Sequence, residues 1–289
     1  MIRNTFKLSA FLILNLFFES GISAQPYFDV ANIHYINSPS KTLVNSKDNP
    51  SPILYFTSQL GLPVKMHEDI LLFNPFYENY NLKFSELQKS NSSFSSIGLP
   101  VTFLKQWKKE KWKTAFVFIP RINADFEKIN SNQYQFGGAI VAVYKKRENL
   151  KYKLGVYYNR EFFGTFILPL LGIDWNINDR TNLFGILPGN MTLEYKINSS
   201  LYGGINFKSI TNSFRFDGLT FLKVSDNYLK LFLDYYLIKK IVISFEAGRS
   251  ILRKYSIGHE NEPLIRIDLN DGLLLKAGLA YRIRLNENK

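Results

Sequence analysis

The sequence predicts an all-β fold, a transmembrane up-and-down antiparallel β-barrel of about 14 strands, with 12 as the alternative count. The first observation is the alternation between Leu273 and Leu285, where every odd position is apolar and Lys276, Arg282 and Arg284 occupy even positions. Such alternation is typical of a strand with one apolar and one polar face. Globular strands average roughly 5–6 residues, whereas a strand that crosses a bilayer needs roughly 9–11, so this run indicates a membrane barrel.

The second observation is that charge occupies only one face of the clearest strands. Between Leu229 and Tyr235 the odd positions are apolar, and between Ile241 and Ala247 they are apolar again. A Lys or Arg that faces lipid at mid-depth costs about 2–4 kcal/mol. We therefore expect these charges to face the lumen: Lys230, Asp234, Glu246, Lys276, Arg282 and Arg284.

The third observation is the composition, with 16% aromatic residues, no cysteine and a formal net charge of +12. Aromatic residues suit the girdles of a membrane barrel, and a closed barrel pairs its backbone without disulfides. The expected partners are outer-membrane lipid and small solutes in the lumen. Nucleic acid is not expected because the chain is exported. The sequence predicts no cofactor, and it does not predict the oligomeric state.

The N-terminus predicts export through a secretory signal peptide. Arg3 and Lys7 precede an apolar run from Leu8 to Phe18, and a small residue, Ala24, precedes Gln25. This order is typical of a cleaved signal peptide, and the apolar run is too short for a membrane helix of about 20 residues. We expect residues 1–24 to be removed, and residues 25–289 to form a single barrel domain in the bacterial outer membrane.

In chain order, the alternation predicts fourteen strands. They are Tyr27 to Ile36, Pro52 to Leu62, Ile70 to Tyr80, Ser93 to Lys105, Lys111 to Asn123, Phe136 to Lys145, Leu150 to Phe162, Thr165 to Ile177, Thr181 to Leu187, Met191 to Ile197, Leu201 to Phe214, Tyr228 to Ile238, Ile241 to Leu252 and Leu273 to Leu285.

Short polar turns and longer polar loops alternate between these strands, as in outer-membrane barrels with short periplasmic turns. The predicted long loops include Asn37 to Pro50 and Arg253 to Asn270, and a loop also joins Phe214 to Asn227. The strand count depends on whether Pro188-Gly189 is a turn or a kink. Trp107 and Trp112 flank a Lys-rich turn and are predicted to be interface anchors.

The segment from Phe136 to about Phe214 contains a series of short motifs: Phe136-Gly137-Gly138-Ala139, then Tyr152 to Gly164, Leu168 to Trp175 and Leu187 to Tyr195. Together these motifs resemble a bacterial outer-membrane family, the domain of unknown function 6268. The resemblance implies an exported β-barrel. It implies no catalytic residue, because none is established for the family.

Enzyme chemistry has little support in the sequence, and we predict a protein that is not an enzyme. His259 in the last loop is the one candidate base, with Ser256 as its nucleophile. Three scattered histidines and no cysteine make a transition-metal site improbable, and Asp268 with Asp271 is a weak calcium candidate.

The leading functional hypothesis is porin-like passage of small solutes, passive or gated. The alternative is a non-conducting barrel whose long loops bind or scaffold an envelope partner. A remote alternative is a lipid-modifying barrel enzyme acting through His259 or His34. A soluble periplasmic β-sandwich is the remaining fold, and strands of this length disfavour it.

Overall fold

A computed structural model describes residues 26–39, 53–82, 92–107, 111–216, 218–259, 262, 264–267 and 269–285 of the chain. The predicted signal peptide lies outside the described residues, as do most of the predicted loop from Asn37 to Pro50 and the calcium candidate Asp268.

The regular elements of the described residues are β-strands, apart from one 3-10 turn, Ser131–Gln133. In that part of the chain no helix is long and apolar enough to cross a bilayer. The strand segments are β1 (Tyr27–Asn37), β2 (Leu54–Leu60), β3 (Leu62–Met66), β4 (Asp69–Phe73), β5 (Phe76–Leu82), β6 (Ser92–Gly98), β7 (Val101–Gln106), β8 (Trp112–Ala124), β9 (Tyr134–Arg147), β10 (Leu150–Glu161), β11 (Gly164–Asn176), β12 (Thr181–Leu187), β13 (Asn190–Lys196), β14 (Leu201–Phe216), β15 (Thr220–Ile238), β16 (Ile241–His259), β17 (Ile265–Ile267) and β18 (Leu273–Arg284).

These segments form one antiparallel barrel of 14 strands, which closes where β18 pairs with β1. Three strands are interrupted: β2 continues into β3 past Gly61, β4 into β5 past Asn74-Pro75, and β6 into β7 past Leu99-Pro100. Proline lacks the N–H of a strand ladder, which explains two of these breaks. The short β17 belongs to the last loop. The predicted count of 14 is therefore confirmed.

The turns at one end of the barrel, here called the lower end, are short, and the N- and C-terminal strands β1 and β18 begin and end there. Lys239-Lys240 joins β15 to β16, and Glu148-Asn149 joins β9 to β10. The longer connections lie at the other end, the upper end. This asymmetry is the one predicted for an outer-membrane barrel.

The outer surface is apolar and the inner surface carries the charge. Along β15, Leu229, Leu231 and Leu233 are 43–65% exposed, whereas Lys230 and Asp234 at alternate positions are each 4% exposed. A water-soluble protein has the reverse pattern, with charge outside. The described strands form one closed sheet, with no second sheet among them to pack against it, so the β-sandwich alternative is wrong.

Two predicted loops are in part strand. The segment from Phe214 to Asn227 forms the ends of β14 and β15, which pair up to Phe216 and Thr220. In the predicted loop from Arg253 to Asn270, β16 continues to His259 and β17 pairs with it. The polar residues in these segments misled the prediction, since several of them, such as Arg215, Asp226 and Arg253, are buried against other strands.

The upper half of β14 leaves the barrel wall and runs inside it. Arg215 forms a parallel bridge with Ala124 of β8, and the Asp125 N–H donates to the Arg215 carbonyl at 3.1 Å. The outward side chain of Ser213 is fully buried, because β10 covers it: its hydroxyl donates to Glu161 at 2.6 Å.

This contact closes a smaller ring of nine strands at the upper end, from β14 through β15, β16, β18, β1 and the three interrupted strands to β8. A ring of about eight strands leaves room only for side chains. An apolar cluster accordingly fills it, which we call the aromatic layer: Ile36, Ile53, Tyr55, Tyr80, Leu82, Phe94, Phe214, Phe216, Leu222, Val224, Tyr228, Tyr255, Ile267, Leu269 and Leu274.

Candidate solute site inside the barrel

Ion pairs cross the lumen near the lower end. Arg282 contacts Asp29 and Asp234, each at 2.5 Å, and Arg284 lies 2.7 Å from Glu194. The arginines and Asp234 and Glu194 have side chains that are at most 7% exposed. Charges removed from water in this way are stable only when they are paired and hydrogen-bonded. Arg282 therefore links β18 to the nearby strands β1 and β15, and Arg284 links β18 to the more distant strand β13.

Aromatic rings complete this lower layer. The guanidinium of Arg282 lies 3.7 Å from the ring centroid of Tyr27, within cation–π range. The ring of Tyr27 in β1 also meets that of Phe184 in β12 edge-on, at 5.5 Å between centroids. Because β1 and β12 stand far apart around the barrel, this contact narrows the lower lumen.

A cavity of about 240 Å³ lies in the interior between the lower layer and the aromatic layer. We call it the central cavity. Three lysines line it, Lys208, Lys230 and Lys276, together with His34 and Glu78. Lys230 and Lys276 each lie 2.6 Å from a carboxylate oxygen of Glu246.

The six charges predicted to face the lumen all have buried or largely buried side chains, and all six take part in ion pairs within the barrel. Lys230, Glu246 and Lys276 form one group beside the central cavity. Asp234, Arg282 and Arg284 belong to the lower layer. Sequence reasoning missed Lys208 and Glu194, which continue the same inward positions on β14 and β13.

The upper interior contains a second polar group between β14 and the strands that cover it. Asn123 of β8 donates to Asn212 at 2.6 Å and to Gln135 at 2.8 Å, and the Gln135 amide donates to Ser213 at 3.0 Å. Arg121 pairs with Glu161 at 2.5 Å. This network attaches β14 to β8, β9 and β10.

A second cavity of about 820 Å³ opens at the upper rim, between the tips of β9–β11 and those of β14–β16. We call it the rim cavity. Its lining is mixed: Phe136, Phe162, Phe163 and Phe221 contribute aromatic rings, and polar and charged residues such as Arg160, Glu161 and Arg215 lie between them. Lys223 places its ammonium 3.8 Å from the ring centroid of Phe163.

Below the rim cavity the barrel wall has a gap. The β12–β13 hairpin turns at Pro188-Gly189, so β12 pairs only with residues 171–176 of β11, and β13 pairs only with residues 202–208 of β14. Above that turn, no described strand pairs with the second edge of β11. Pro169 lies in this part of β11, as expected where an edge has no partner.

Both faces of β11 are apolar beside the gap. Ile167 and Leu171 point outward and are about 60% exposed. The alternate positions Phe166, Leu168 and Leu170 share the inner face with buried Asn159 of β10, the register partner of Phe166. The ring of Phe166 lies 6.0 Å from that of Phe163, so the phenylalanine rings of the rim cavity continue toward the gap.

The three histidines lie in separate parts of the barrel. His34 lines the central cavity, His67 lies in the lower turn between β3 and β4, and His259 lines the rim cavity. Ser256 and His259 are three positions apart on β16 and therefore point to opposite faces, so the predicted base cannot reach this nucleophile. No group of potential metal ligands occurs among the described residues.

The two predicted anchors lie at the lower end with exposed indoles. Trp107 is 48% and Trp112 is 45% exposed. The indole N–H of Trp107 donates to the hydroxyl of Thr114 at 2.9 Å, and Trp112 packs on Tyr144 with 4.8 Å between ring centroids. An apolar ring with a satisfied polar edge suits the boundary between lipid and water.

The closed barrel, its apolar outer belt and its charged interior define a transmembrane β-barrel of the outer-membrane type. The family model described as "Domain of unknown function (DUF6268)" matches residues 71–262. This is more than half of the chain, and the protein belongs to that family. The predicted resemblance is confirmed, and the match extends beyond the segment that suggested it.

Solved structures with a similar fold are outer-membrane channels. An outer-membrane channel from Pseudomonas putida F1 is 10% identical with a TM-score of 0.48, covering 91% of this chain and 98% of that one. A Pseudomonas aeruginosa FadL homologue is 10% identical (TM-score 0.45, 91% of each chain). The Pseudomonas putida toluene transporter TodX is 9% identical (TM-score 0.39, 89% of each chain). No curated protein matches the chain.

Proposed function

We propose that the protein passes small, mainly apolar solutes across the bacterial outer membrane, from the rim cavity along the inner face of β11 to the gap in the wall. The observation that carries this proposal is the apolar inner face of β11 beside an edge without a strand partner. In a barrel whose interior holds only water or ion pairs, polar side chains are expected on the inner face of β11 in place of Leu168 and Leu170.

The aromatic layer and the lower layer support a route through the wall rather than along the barrel axis. The nine-strand ring is filled with side chains, and Tyr27, Phe184 and Arg284 narrow the lower lumen. The rim cavity, in contrast, is open, and four phenylalanine rings form part of its lining. An apolar solute that follows the inner face of β11 remains in apolar surroundings until it reaches the hydrocarbon of the bilayer.

The test is to place a charge on this route. In Leu168→Asp, we expect the initial rate at which the apolar dye 1-N-phenylnaphthylamine enters cells producing the protein to fall toward that of cells without it. A carboxylate in an apolar passage costs several kcal/mol unless it is paired. Leu168→Met, which conserves volume and apolarity, is the matched control and should retain the wild-type rate.

Dye entry that is the same in Leu168→Asp, the wild type and cells without the protein would refute the proposal. Heat-modifiable migration on gels establishes that each variant has folded. A folded, inserted protein that carries nothing would favour the non-conducting barrel, the second candidate, for which the filled nine-strand ring is the supporting observation.

A further inference from the structure

The central cavity contains more positive than negative charge. Its lysines are Lys208, Lys230 and Lys276, and the carboxylates facing them are Glu78 and Glu246. Glu246 is shared by Lys230 and Lys276, which lie 2.6 Å from its two oxygens. With His34 neutral, three ammonium groups face two carboxylates among the described residues, which leaves one positive charge in excess.

Lys208 is the cation without a close partner. It faces the interior from β14, since its register partner on β15, Tyr228, is buried. Within the described part of the chain its ammonium makes no hydrogen bond and no ion pair within 4.0 Å, although Glu78 and Glu246 attract it over a longer distance. Glu78 instead accepts a hydrogen bond from the Tyr55 hydroxyl at 2.7 Å.

The wall opposite Lys208 offers polar groups that suit an anion. Asn32 and His34 of β1 are register partners of Gln59 and Thr57 of β2, so all four side chains share one face of the sheet and line the cavity. The amides and the hydroxyl among them can donate hydrogen bonds. Among the described residues, the side chains of Asn32, Thr57 and Gln59 have no hydrogen-bond partner in the protein.

An ammonium group largely withdrawn from water is stabilised by a counter-charge, because the free energy of removing it from water is large. Hydrogen bonds between an ammonium group and a carboxylate or phosphate are stronger than those between neutral groups. The volume of about 240 Å³ limits the ligand to a small molecule or a single headgroup.

We propose that the central cavity is a binding site for one small oxyanion, a carboxylate or a phosphate, held by Lys208 and by the polar side chains of β1 and β2. This site lies on the inner face of β14, whereas the apolar route described above runs along β11 outside that strand. The two proposals are therefore independent, and dye entry is not expected to depend on Lys208.

The experiment measures thermal unfolding of the full-length mature protein in detergent, with acetate or phosphate added at an ionic strength held constant with sodium chloride. A ligand that binds only the folded state raises the melting temperature, and the rise grows with the logarithm of ligand concentration once that concentration exceeds Kd. We expect a rise of at least about 2 °C at the highest concentration of at least one of the two oxyanions. The oxyanion that raises the melting temperature, acetate or phosphate, shows whether the site binds a carboxylate or a phosphate group.

Lys208→Met removes the charge with little change in length and should abolish the oxyanion-dependent rise. Lys208→Arg keeps the charge and should retain at least part of it. Lys239→Met removes an exposed lysine from the lower turn and should leave the rise unchanged. The proposal is overturned if neither oxyanion stabilises the wild type relative to chloride, or if folded Lys208→Met responds as the wild type does.

Discussion

Arg284 donates a hydrogen bond to Glu194 at 2.7 Å, although three strands separate β18 from β13 around the barrel. The ion pair therefore spans part of the lower lumen instead of joining adjacent strands. Glu194 is fully buried, and the guanidinium also lies 3.9 Å from the ring centroid of Tyr202. The pair therefore links two strands that are not neighbours, and its contribution to stability requires both side chains.

Arg284→Met is expected to destabilise the barrel by about 3–5 kcal/mol, because Glu194 is left as a buried charge without its partner. The urea midpoint of unfolding from phospholipid vesicles measures this. The double variant Arg284→Met/Glu194→Gln should recover much of the loss. Equal midpoints for the wild type and the single variant would show that the pair contributes nothing to stability.

Phe214→Ala is expected to open the nine-strand ring. The Phe214 ring is fully buried and lies 5.4 Å from Tyr80 and 5.9 Å from Phe94, so its removal leaves a cavity and costs about 3–5 kcal/mol. Single-channel recordings in planar bilayers should show a higher conductance than the wild type. Phe118→Ala removes an equal volume from the outer surface and should leave the conductance unchanged. Equal conductances for Phe214→Ala and Phe118→Ala would contradict the conclusion that the aromatic layer blocks the barrel axis.

The contact between β14 and β8 predicts a disulfide in the variant Ala124→Cys/Arg215→Cys. Bridged strands lie roughly 4.7–4.9 Å apart, within the Cα separation that a disulfide accepts. The natural chain has no cysteine, so a band of altered mobility on non-reducing gels identifies this bond. Each single variant is the control. If oxidant produces no bond in the folded double variant, β14 does not run inside the barrel.

Arginine on the outer surface should destabilise the barrel according to its depth in the bilayer. Leu231 lies within β15 and Leu237 next to its lower end. We expect Leu231→Arg to cost about 2–4 kcal/mol and Leu237→Arg about 0–1 kcal/mol, because the second guanidinium reaches the interface. Urea unfolding from vesicles compares them. The opposite order would contradict the assignment of the lipid-facing belt.

The tryptophans predict the position of the lower membrane boundary. Trp107, Trp112 and Trp175 all lie at the lower end, and each is at least 37% exposed. In the wild type, lipids brominated near the headgroup should quench the fluorescence more than lipids brominated near the chain end. Stronger quenching from the chain end would place these indoles at mid-depth and contradict their role as anchors.

Most of the barrel could be predicted from alternation, because lipid on one side and a polar lumen on the other impose it. The prediction of strand ends and inward-facing residues failed where a strand no longer has lipid on one side and a polar lumen on the other. From Lys208 to Asn212, polar residues occupy both faces of β14, since this half touches other strands and no lipid. The same loss of contrast concealed Lys208, the residue on which the oxyanion site depends.

The gap in the wall could not be predicted for the opposite reason. Between Phe166 and Leu171 both faces of β11 are apolar, so the pattern does not distinguish an outer from an inner side. Only the register of the short β12–β13 hairpin shows that one edge of this segment has no partner. Pro169 was the available signal, because proline in a membrane strand favours an unpaired edge.

The bridge between Arg215 and Ala124 has a consequence for symmetry. Strands that alternate up and down can close a circle only in even numbers, and the outer circle of 14 obeys this rule. The nine-strand ring has an odd number of strands, so two strands that run upward must be neighbours, and β8 and β14 are paired in this parallel sense. Any rearrangement that returns β14 to the wall must break the nine-strand ring and open the aromatic layer that lies above the central cavity.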